Sequence, residues 1–230
     1  PPPPTGATLW GGGGGGLAPP PALLLWSLRL FFHLLYGPFA WAYDAVAWAV
    51  SRGKWTEWGA TALPFLPRGL VLELAHGPGH LLLRMARQGL RPVGLDLSPQ
   101  MGALAYRRLH RAGLPPRMVR ARAQQIPFAD RIFQAVVATF PTEFILDPAT
   151  AREVARVLAP QGTFVFVLTA IPGGRSFLSC ALRLLYRITG QNRVLPDETL
   201  QVWRDFGFSL SVHWQPVNSD AVLIVRGTRQ

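Results

Sequence analysis

The 230-residue sequence is poor in cysteine, lysine and acidic residues. Cys180 is its only cysteine, which excludes an internal disulfide and fits a reducing compartment. Because Cys180 lies in the apolar run SFLSCALRLLY, a buried side chain is favoured over a nucleophile. Lys54 is the only lysine, so scattered arginines supply nearly all the positive charge behind the formal net charge of +11. A solvated, arginine-rich surface is therefore favoured over a nucleic-acid-binding face.

The sequence also has no long uninterrupted hydrophobic run. A membrane-spanning helix needs about 20 consecutive apolar residues, but the most apolar segment, residues 22–50, contains Arg29, His33 and Asp44. The pair Gly37-Pro38 divides this segment, which predicts two amphipathic helices that cover a pocket or lie on a membrane surface. No secretory signal is expected, and the start PPPP without methionine is compatible with a fragment of a longer protein.

Composition divides the chain into three predicted regions. Residues 1–21 are rich in proline and glycine, cannot bury a core, and are predicted to be a disordered tail. Residues 22–68 are predicted to form a helical lid or arm. Residues 69–230 alternate strand and helix patterns, which predicts an α/β domain. Its expected architecture is a doubly wound, mostly parallel, seven-stranded sheet with an antiparallel C-terminal strand.

Local patterns assign the individual elements of this domain. The predicted strands are VLELA, PVGLDLS, MVRARAQQ, FQAVVATF, GTFVFVLTA, SLSVHWQPV and DAVLIVRG. The predicted helices are GHLLLRMARQG, SPQMGALAYRRLHRAG, DPATAREVARVLAPQG, RSFLSCALRLLYRITG and DETLQVWRDFG. Ser98 is the expected N-cap of the second helix, with Pro99 at its first position.

The stretch ELAHGPGH joins the first predicted strand to the first predicted helix. Gly77 and Gly79 allow the backbone to approach a ligand closely, and the start of a helix exposes unpaired N–H groups. Asp96 ends the next strand, about twenty residues further on, where a carboxylate accepts hydrogen bonds from the ribose hydroxyls of an adenosine. Because ligands of open α/β sheets bind at the carboxyl ends of the strands, these residues predict an adenosine-cofactor site.

Other nucleotide and metal motifs fit this stretch less well. A dinucleotide fingerprint needs a small third residue, and Leu82 stands there. No Gly-Lys-Ser/Thr sequence follows the turn, so a Walker A loop is absent. His76 and His80 are four residues apart with no third ligand nearby, so no metal is expected. His76 is interpreted as a wall of the cofactor pocket, with a general-base role as the lesser alternative.

The sequence has an acidic residue before a G-x-G turn and a second acid at the end of the next strand. This pattern resembles motif I and the following acidic position of class I S-adenosylmethionine-dependent methyltransferases. RAQQIPFADRIFQAVVATF is similar to that family's approach to its fourth strand, and REVARVLAPQGTFVFV to its following helix and fifth strand. The pair Tyr43-Asp44 resembles an aromatic–acid pair of the quinone-biosynthesis and small-molecule members. The resemblance covers roughly residues 43–226.

The resemblance implies a role for each matched position. Glu73 would hold the methionine amino group of S-adenosylmethionine, and Asp96 its ribose. The turn would wrap the methionine and ribose, four residues would border the adenine, and two would border the methyl group. The turn residues are Ala75, His76, Gly77, Pro78 and Gly79. The residues at the adenine are Leu97, Met101, Ala123 and Gln124, and those at the methyl group are Thr139 and Phe140. The chain departs from the family at Ala75, where a glycine is usual, and at Arg122, where an acid is common.

The activity implied by the resemblance is methyl transfer to a small, hydrophobic acceptor such as a lipid or quinone. A cytoplasmic protein is expected, with peripheral membrane contact through the apolar N-terminal helices as a further expectation and no nucleic-acid partner. Weak candidates for a catalytic residue are Tyr43, His76, Glu143 and His213. Two alternatives remain: a non-catalytic nucleotide-binding module with a membrane-facing helical arm, and, less favoured because of Leu82, an NAD-dependent oxidoreductase.

Overall fold

The computed structural model describes residue 51, residues 53–173 and residues 197–230. The predicted tail, residues 22–50 of the predicted arm including Tyr43, and Cys180 with its predicted helix lie outside the described residues. The predicted boundaries of the three regions therefore stay predictions. Within the described residues, no helix is long and apolar enough to span a membrane.

The described residues form five α-helices and seven strands. The helices are α1 (Trp55–Ala60), α2 (His80–Arg87), α3 (Pro99–Arg111), α4 (Pro148–Val157) and α5 (Asp197–Asp205). The strands are β1 (Leu70–Leu74), β2 (Arg91–Asp96), β3 (Met118–Arg120), β4 (Phe133–Thr139), β5 (Leu158–Ile171), β6 (Phe208–Val217) and β7 (Asp220–Arg229). Short 3-10 helices span Leu63–Phe65 and Glu143–Leu146.

The strands form one sheet in the order β3-β2-β1-β4-β5-β7-β6. Strands β1 to β5 pair in parallel, whereas β7 runs antiparallel to both β5 and β6. The predicted doubly wound, mostly parallel sheet is confirmed. The chain order reverses between β1 and β4, so the carboxyl ends of these two strands form the switch point where such sheets bind ligands.

Helices cover both faces of the sheet because alternate strand residues point to opposite sides. In β1, Leu72 and Leu74 join one apolar cluster and Val71 joins the other. The first cluster packs under α4 and α5, while α1, α2 and α3 contribute to the second. Strand β4 is buried almost throughout, as expected for a strand covered on both faces.

Three elements differ clearly in length from the predictions, and one of them, β5, begins at Leu158 and is longer than the predicted GTFVFVLTA. Helix α4 ends at Val157 instead of continuing toward Gly162, because Pro160 cannot continue a helix and disfavours helical geometry in the residue before it. Strand β3 is only three residues long, because the chain turns immediately afterwards, where the Gln125 N–H donates to the Arg122 carbonyl at 3.0 Å. Helix α3 begins at Pro99 as predicted, and the Ser98 hydroxyl accepts from the Met101 N–H at 3.2 Å.

Candidate functional site

The turn between β1 and α2 uses its two glycines for different purposes. Gly79 has a φ of 79°, and a Cβ on it would lie 2.7 Å from the Ala105 Cβ, so it allows α2 and α3 to approach. Gly77 has a φ of 52°, and no atom lies within 4 Å of the place where its Cβ would be. Gly79 therefore serves packing, while Gly77 leaves its side of the turn open to a ligand.

Ala75 opens the same turn in a conformation that favours glycine. Its φ is 51°, in the left-handed region where a Cβ meets the following carbonyl. The side chain is exposed, so no packing contact requires the methyl group. The turn thus keeps its geometry with alanine in place of the glycine usual in the similar family, and the cost is local backbone strain.

Ala75→Gly is expected to raise the free energy of unfolding by about 0.5–1 kcal/mol, since it removes strain that exceeds the added freedom of the unfolded chain. The matched control is Ala103→Gly on the exposed face of α3, which should lower the same quantity by about 1 kcal/mol. Urea unfolding of both variants measures the two effects. If both variants changed the free energy of unfolding in the same direction, the result would contradict backbone strain at Ala75.

Asp96 is oriented by the turn that it faces. Its Oδ2 accepts from the Gly77 N–H at 2.9 Å, and its Oδ1 accepts from the Ser98 N–H at 2.8 Å. A carboxylate oxygen has two lone pairs, so each oxygen retains capacity for a further donor. The carboxylate is therefore fixed at the carboxyl end of β2 and can still accept bonds from a pair of hydroxyl groups.

Glu73 is a buried carboxylate at the end of β1. Only 1% of its surface is exposed, and its Oε2 has no hydrogen-bond partner among the described residues. Burial, and secondly the charge of Asp96, raise the pKa of Glu73 well above its usual value, although the Leu82 backbone N–H acts in the opposite direction. An unpaired buried carboxylate oxygen is costly, and a cationic ligand group would remove that cost.

A partly open cleft lies at the switch point. Residues of the β1–α2 turn, α1 and the end of β4 line it. They are Trp55, Thr56, Gly59, Glu73, Ala75, His76, Gly77, Pro78, His80, Leu81, Thr139 and Phe140. The structure thus brings together Glu73, most of the turn and both residues predicted at the end of β4.

Aromatic side chains from α1 and from the end of β4 form one wall of the cleft. The ring centroids of Trp55 and Phe140 are 4.0 Å apart, and their planes are tilted by 33°. Phe140 has a φ of 50°, and its N–H donates to the Val167 carbonyl at 2.7 Å. A non-glycine residue held in this region at a ligand-binding edge is a sign of functional geometry. Sequence reasoning missed the wall residues of α1, although Trp55, the first of the two tryptophans in WTEWGA, is an aromatic signal just before the core.

His76 is buried and electrically neutral at neutral pH. Its Nδ1 lies 2.7 Å from the Gly77 carbonyl oxygen, which can only accept, so Nδ1 carries the hydrogen. Burial lowers the pKa of His76, and the charge of Asp96 opposes this only in part. A Cβ on Gly94 would lie 2.7 Å from the His76 Cδ2, so the ring occupies space that only glycine on β2 provides.

The free energy of unfolding should decrease as the pH falls below the usual histidine pKa. The unfolded chain takes up a proton on His76 there, while the folded chain, with its lowered pKa, does not. His76→Asn has no titrating side chain and should lack this component. Urea unfolding of both proteins between about pH 7 and pH 5 measures the difference. Parallel pH profiles would show that His76 contributes nothing to the slope.

The residues expected near the adenine are not among those that line the cleft. Leu97 follows Asp96 and is 53% exposed, which leaves an apolar side chain available to cover a ring. Met101 and Ala123 are buried. The Gln124 amide nitrogen donates to the Asp147 Oδ2 at 3.1 Å, so it is already engaged with the N-cap of α4.

The remaining catalytic candidates are dispersed. His213 lies on the edge strand β6, where its ring is 5.2 Å from that of Phe65. Three strand spacings separate β6 from β4, about 14 Å. Glu143 is exposed in the 3-10 helix after β4 and does not line the cleft. Among the described residues, no group of three His, Cys, Asp or Glu side chains is arranged to hold a metal ion.

The fold and the site together define a class of protein. A sheet in this order, a glycine turn after β1 and a carboxylate ending β2 are the features of class I S-adenosylmethionine-dependent methyltransferases. Residues 71–162 match a family model described as a methyltransferase domain. Residues 71–162 are therefore similar to a methyltransferase domain, and the sheet and the site resemble those of the class I S-adenosylmethionine-dependent type.

Individual relatives agree with this class. A demethylmenaquinone methyltransferase from Thermus thermophilus is 39% identical over 129 residues, which cover 55% of this chain and 56% of the relative. A demethylmenaquinone methyltransferase from Mycolicibacterium paratuberculosis is 29% identical over 178 residues, 71% of this chain and 74% of the relative. The chain spans about half the length of the first curated relatives that it matches.

Solved structures share the fold at low sequence identity. A methyltransferase from Thermotoga maritima has a TM-score of 0.60 and 18% identity, with 86% of this chain and 99% of that chain covered. The geranyl diphosphate C-methyltransferase of Streptomyces coelicolor, in complex with S-adenosyl-L-homocysteine, has a TM-score of 0.58 and 14% identity, with 76% and 78% covered.

Proposed function

We propose that this protein transfers a methyl group from S-adenosylmethionine to a small hydrophobic acceptor, with a quinol as the leading candidate. The observation that carries the proposal is the unpaired Oε2 of Glu73, which lies in the same cleft as the open side of Gly77. A buried carboxyl group with an unpaired oxygen, beside open backbone space, suits a ligand with an ammonium group and a ribose, as S-adenosylmethionine has.

The residues present fit this cofactor at each of its parts. Glu73 would accept from the methionine ammonium group, and the remaining lone pairs of Asp96 would accept from the ribose hydroxyls. The exposed Leu97 side chain would cover one face of the adenine. When bound, the cofactor supplies an electrophilic methyl group, and the electrons of the broken carbon–sulfur bond remain on sulfur.

The chain itself would contribute alignment and the exclusion of water. Trp55 and Phe140 present aromatic surface next to the turn, and an acceptor placed between this wall and the cofactor would be held in line for attack. The Thr139 side chain borders the same region. His76, neutral with Nδ1 protonated, has an unprotonated Nε2 that is available to accept a hydrogen bond or a proton.

The nature of the acceptor is inferred from the aromatic wall and from the relatives. A planar, hydrophobic ring stacks well on Trp55 and Phe140. Both of the curated relatives described above are named as demethylmenaquinone methyltransferases. One structural relative methylates a carbon of geranyl diphosphate, according to its name. A hydrophobic acceptor such as a quinol is consistent with each of these observations.

Transfer of labelled methyl tests both halves of the proposal. Purified protein is first titrated with S-adenosylhomocysteine by calorimetry, with NAD⁺ as the control for an oxidoreductase. It is then supplied with S-adenosylmethionine carrying a labelled methyl group and either 1,4-naphthoquinol or phosphoethanolamine. Label on the quinol supports the proposal. Label on phosphoethanolamine alone would overturn the acceptor class, and folded protein that binds no S-adenosylhomocysteine would overturn the activity.

A further inference from the structure

A buried carboxylate outside the cleft connects the beginning of β7 to α1. Asp220 is 3% exposed and is the first residue of β7. Its Oδ2 accepts from the Lys54 Nζ and from the Trp58 indole nitrogen, both at 3.0 Å. Its Oδ1 accepts from the Gly173 N–H at 2.9 Å. The only lysine in the sequence is thus paired with an acid 166 residues further along the chain.

The charge of this carboxylate is compensated by its surroundings. Burial alone would raise the pKa of Asp220, but hydrogen bonds from Lys54, the Gly173 backbone and Trp58 lower it on balance. The group is therefore ionised at neutral pH. Gly173 is necessary for this arrangement, because a Cβ there would collide with the Ser219 carbonyl oxygen.

The helix bound by Asp220 cannot hold its place alone. Helix α1 has six residues, and isolated helices this short are unstable in water. Its cleft-facing residues are Trp55, Thr56 and Gly59. Lys54 immediately precedes α1 and Trp58 lies within it, so both side chains bound to Asp220 belong to the segment that forms the cleft wall.

We propose that Asp220 is a positioning residue, which fixes α1 as the wall of the cleft through Lys54 and Trp58. Its functional meaning rests on the function proposed above, because that wall would hold the acceptor. The cofactor-facing residues Glu73, Gly77 and Asp96 belong to β1, β2 and their turns, which Asp220 does not contact. Loss of Asp220 should therefore disturb the acceptor wall and largely spare the cofactor side.

Hydrogen exchange on the full chain tests this role without an acceptor. In Asp220→Ala, the amides of α1 should exchange about tenfold faster or more, through local opening, while those of β1 and β4 keep their rates. Asp220→Asn keeps an oxygen that accepts from Trp58 or Gly173, so its increase should be smaller, about threefold. Lys54→Met should increase the exchange rates of α1 by a similar factor, since the N–H donors of Trp58 and Gly173 to Asp220 remain. The control Asp205→Ala, an exposed acid on α5, should change nothing in α1.

Calorimetry of the same variants with S-adenosylhomocysteine separates this proposal from the proposed function. The affinity of Asp220→Ala should stay within about threefold of the starting protein, because the hydrogen bonds of Asp220 go to Lys54, Trp58 and Gly173 and not to the cofactor-facing residues. Unchanged exchange in α1, or an equal increase in β1 and β4, would overturn the positioning role. If Asp220→Ala does not fold, Asp220→Asn and Lys54→Met decide the question. If the starting protein binds no S-adenosylhomocysteine, the proposed function fails, but the exchange pattern still tests whether Asp220 positions α1.

Discussion

Asp96→Ala is expected to weaken S-adenosylhomocysteine binding by a factor of about 100 or more, since hydrogen bonds to a charged group contribute about 1.5–3 kcal/mol each. Both ribose hydroxyls of the proposed ligand would donate hydrogen bonds to this carboxylate. The loss has a second component, because Asp96 also accepts from the Gly77 N–H at 2.9 Å and so orients the turn itself. Both components act on the cofactor side of the cleft.

Calorimetric titration of the starting protein, Asp96→Ala and a matched control measures this effect. Asp130→Ala is a suitable control, because it removes a carboxylate that pairs with Arg156 at 2.6 Å, away from the cleft lining. Circular dichroism establishes that each variant is folded. An Asp96→Ala variant that is folded and binds with unchanged affinity would show that this carboxylate does not hold the ribose.

The sequence predicted the fold well where local patterns determine structure. The apolar run FQAVVATF became the buried strand β4, and Ser98 with Pro99 began α3 as expected. Strand order depends on contacts between residues far apart in the chain, which periodicity does not encode. The closeness of the last two predicted strands in the sequence did indicate a hairpin, and the antiparallel pairing of β7 with β5 and β6 confirms the expected antiparallel strand.

The candidate site was predictable in its local part only. Glu73 and the glycine turn are close in sequence, and Asp96 follows one helix later, so a single motif contains them. The wall formed by α1 depends on distant partners, since Trp55 meets Phe140 and Lys54 meets Asp220. No spacing rule connects these positions. His213, offered as a catalytic candidate, lies on the edge strand because the hairpin order places β7, not β6, beside β5.

Glu73→Gln is expected to have opposite effects on stability and on binding. In the ligand-free protein, the Glu73 carboxyl group is buried with one oxygen unpaired, and burial together with the charge of Asp96 raises its pKa. The folded state therefore loses stability as the pH rises above the usual glutamate value, because the unfolded chain ionises more readily. A glutamine carries no charge and avoids this loss, so the variant should be more stable by about 1–3 kcal/mol near pH 8 and by less near pH 5.

The same substitution should weaken S-adenosylhomocysteine binding by about 10- to 100-fold, because it removes a charge-assisted hydrogen bond to the ammonium group. Binding to the starting protein should tighten as the pH rises and Glu73 ionises, whereas binding to Glu73→Gln should lack this pH dependence. Urea unfolding and calorimetry at both pH values measure the two effects on one pair of proteins. A variant that is less stable and binds equally well would show that Glu73 supports the fold and does not receive the ligand. A variant that is more stable but binds more weakly would show that the unfavourable burial of Glu73 serves binding. Such a result agrees with the general finding that functional residues often lower stability.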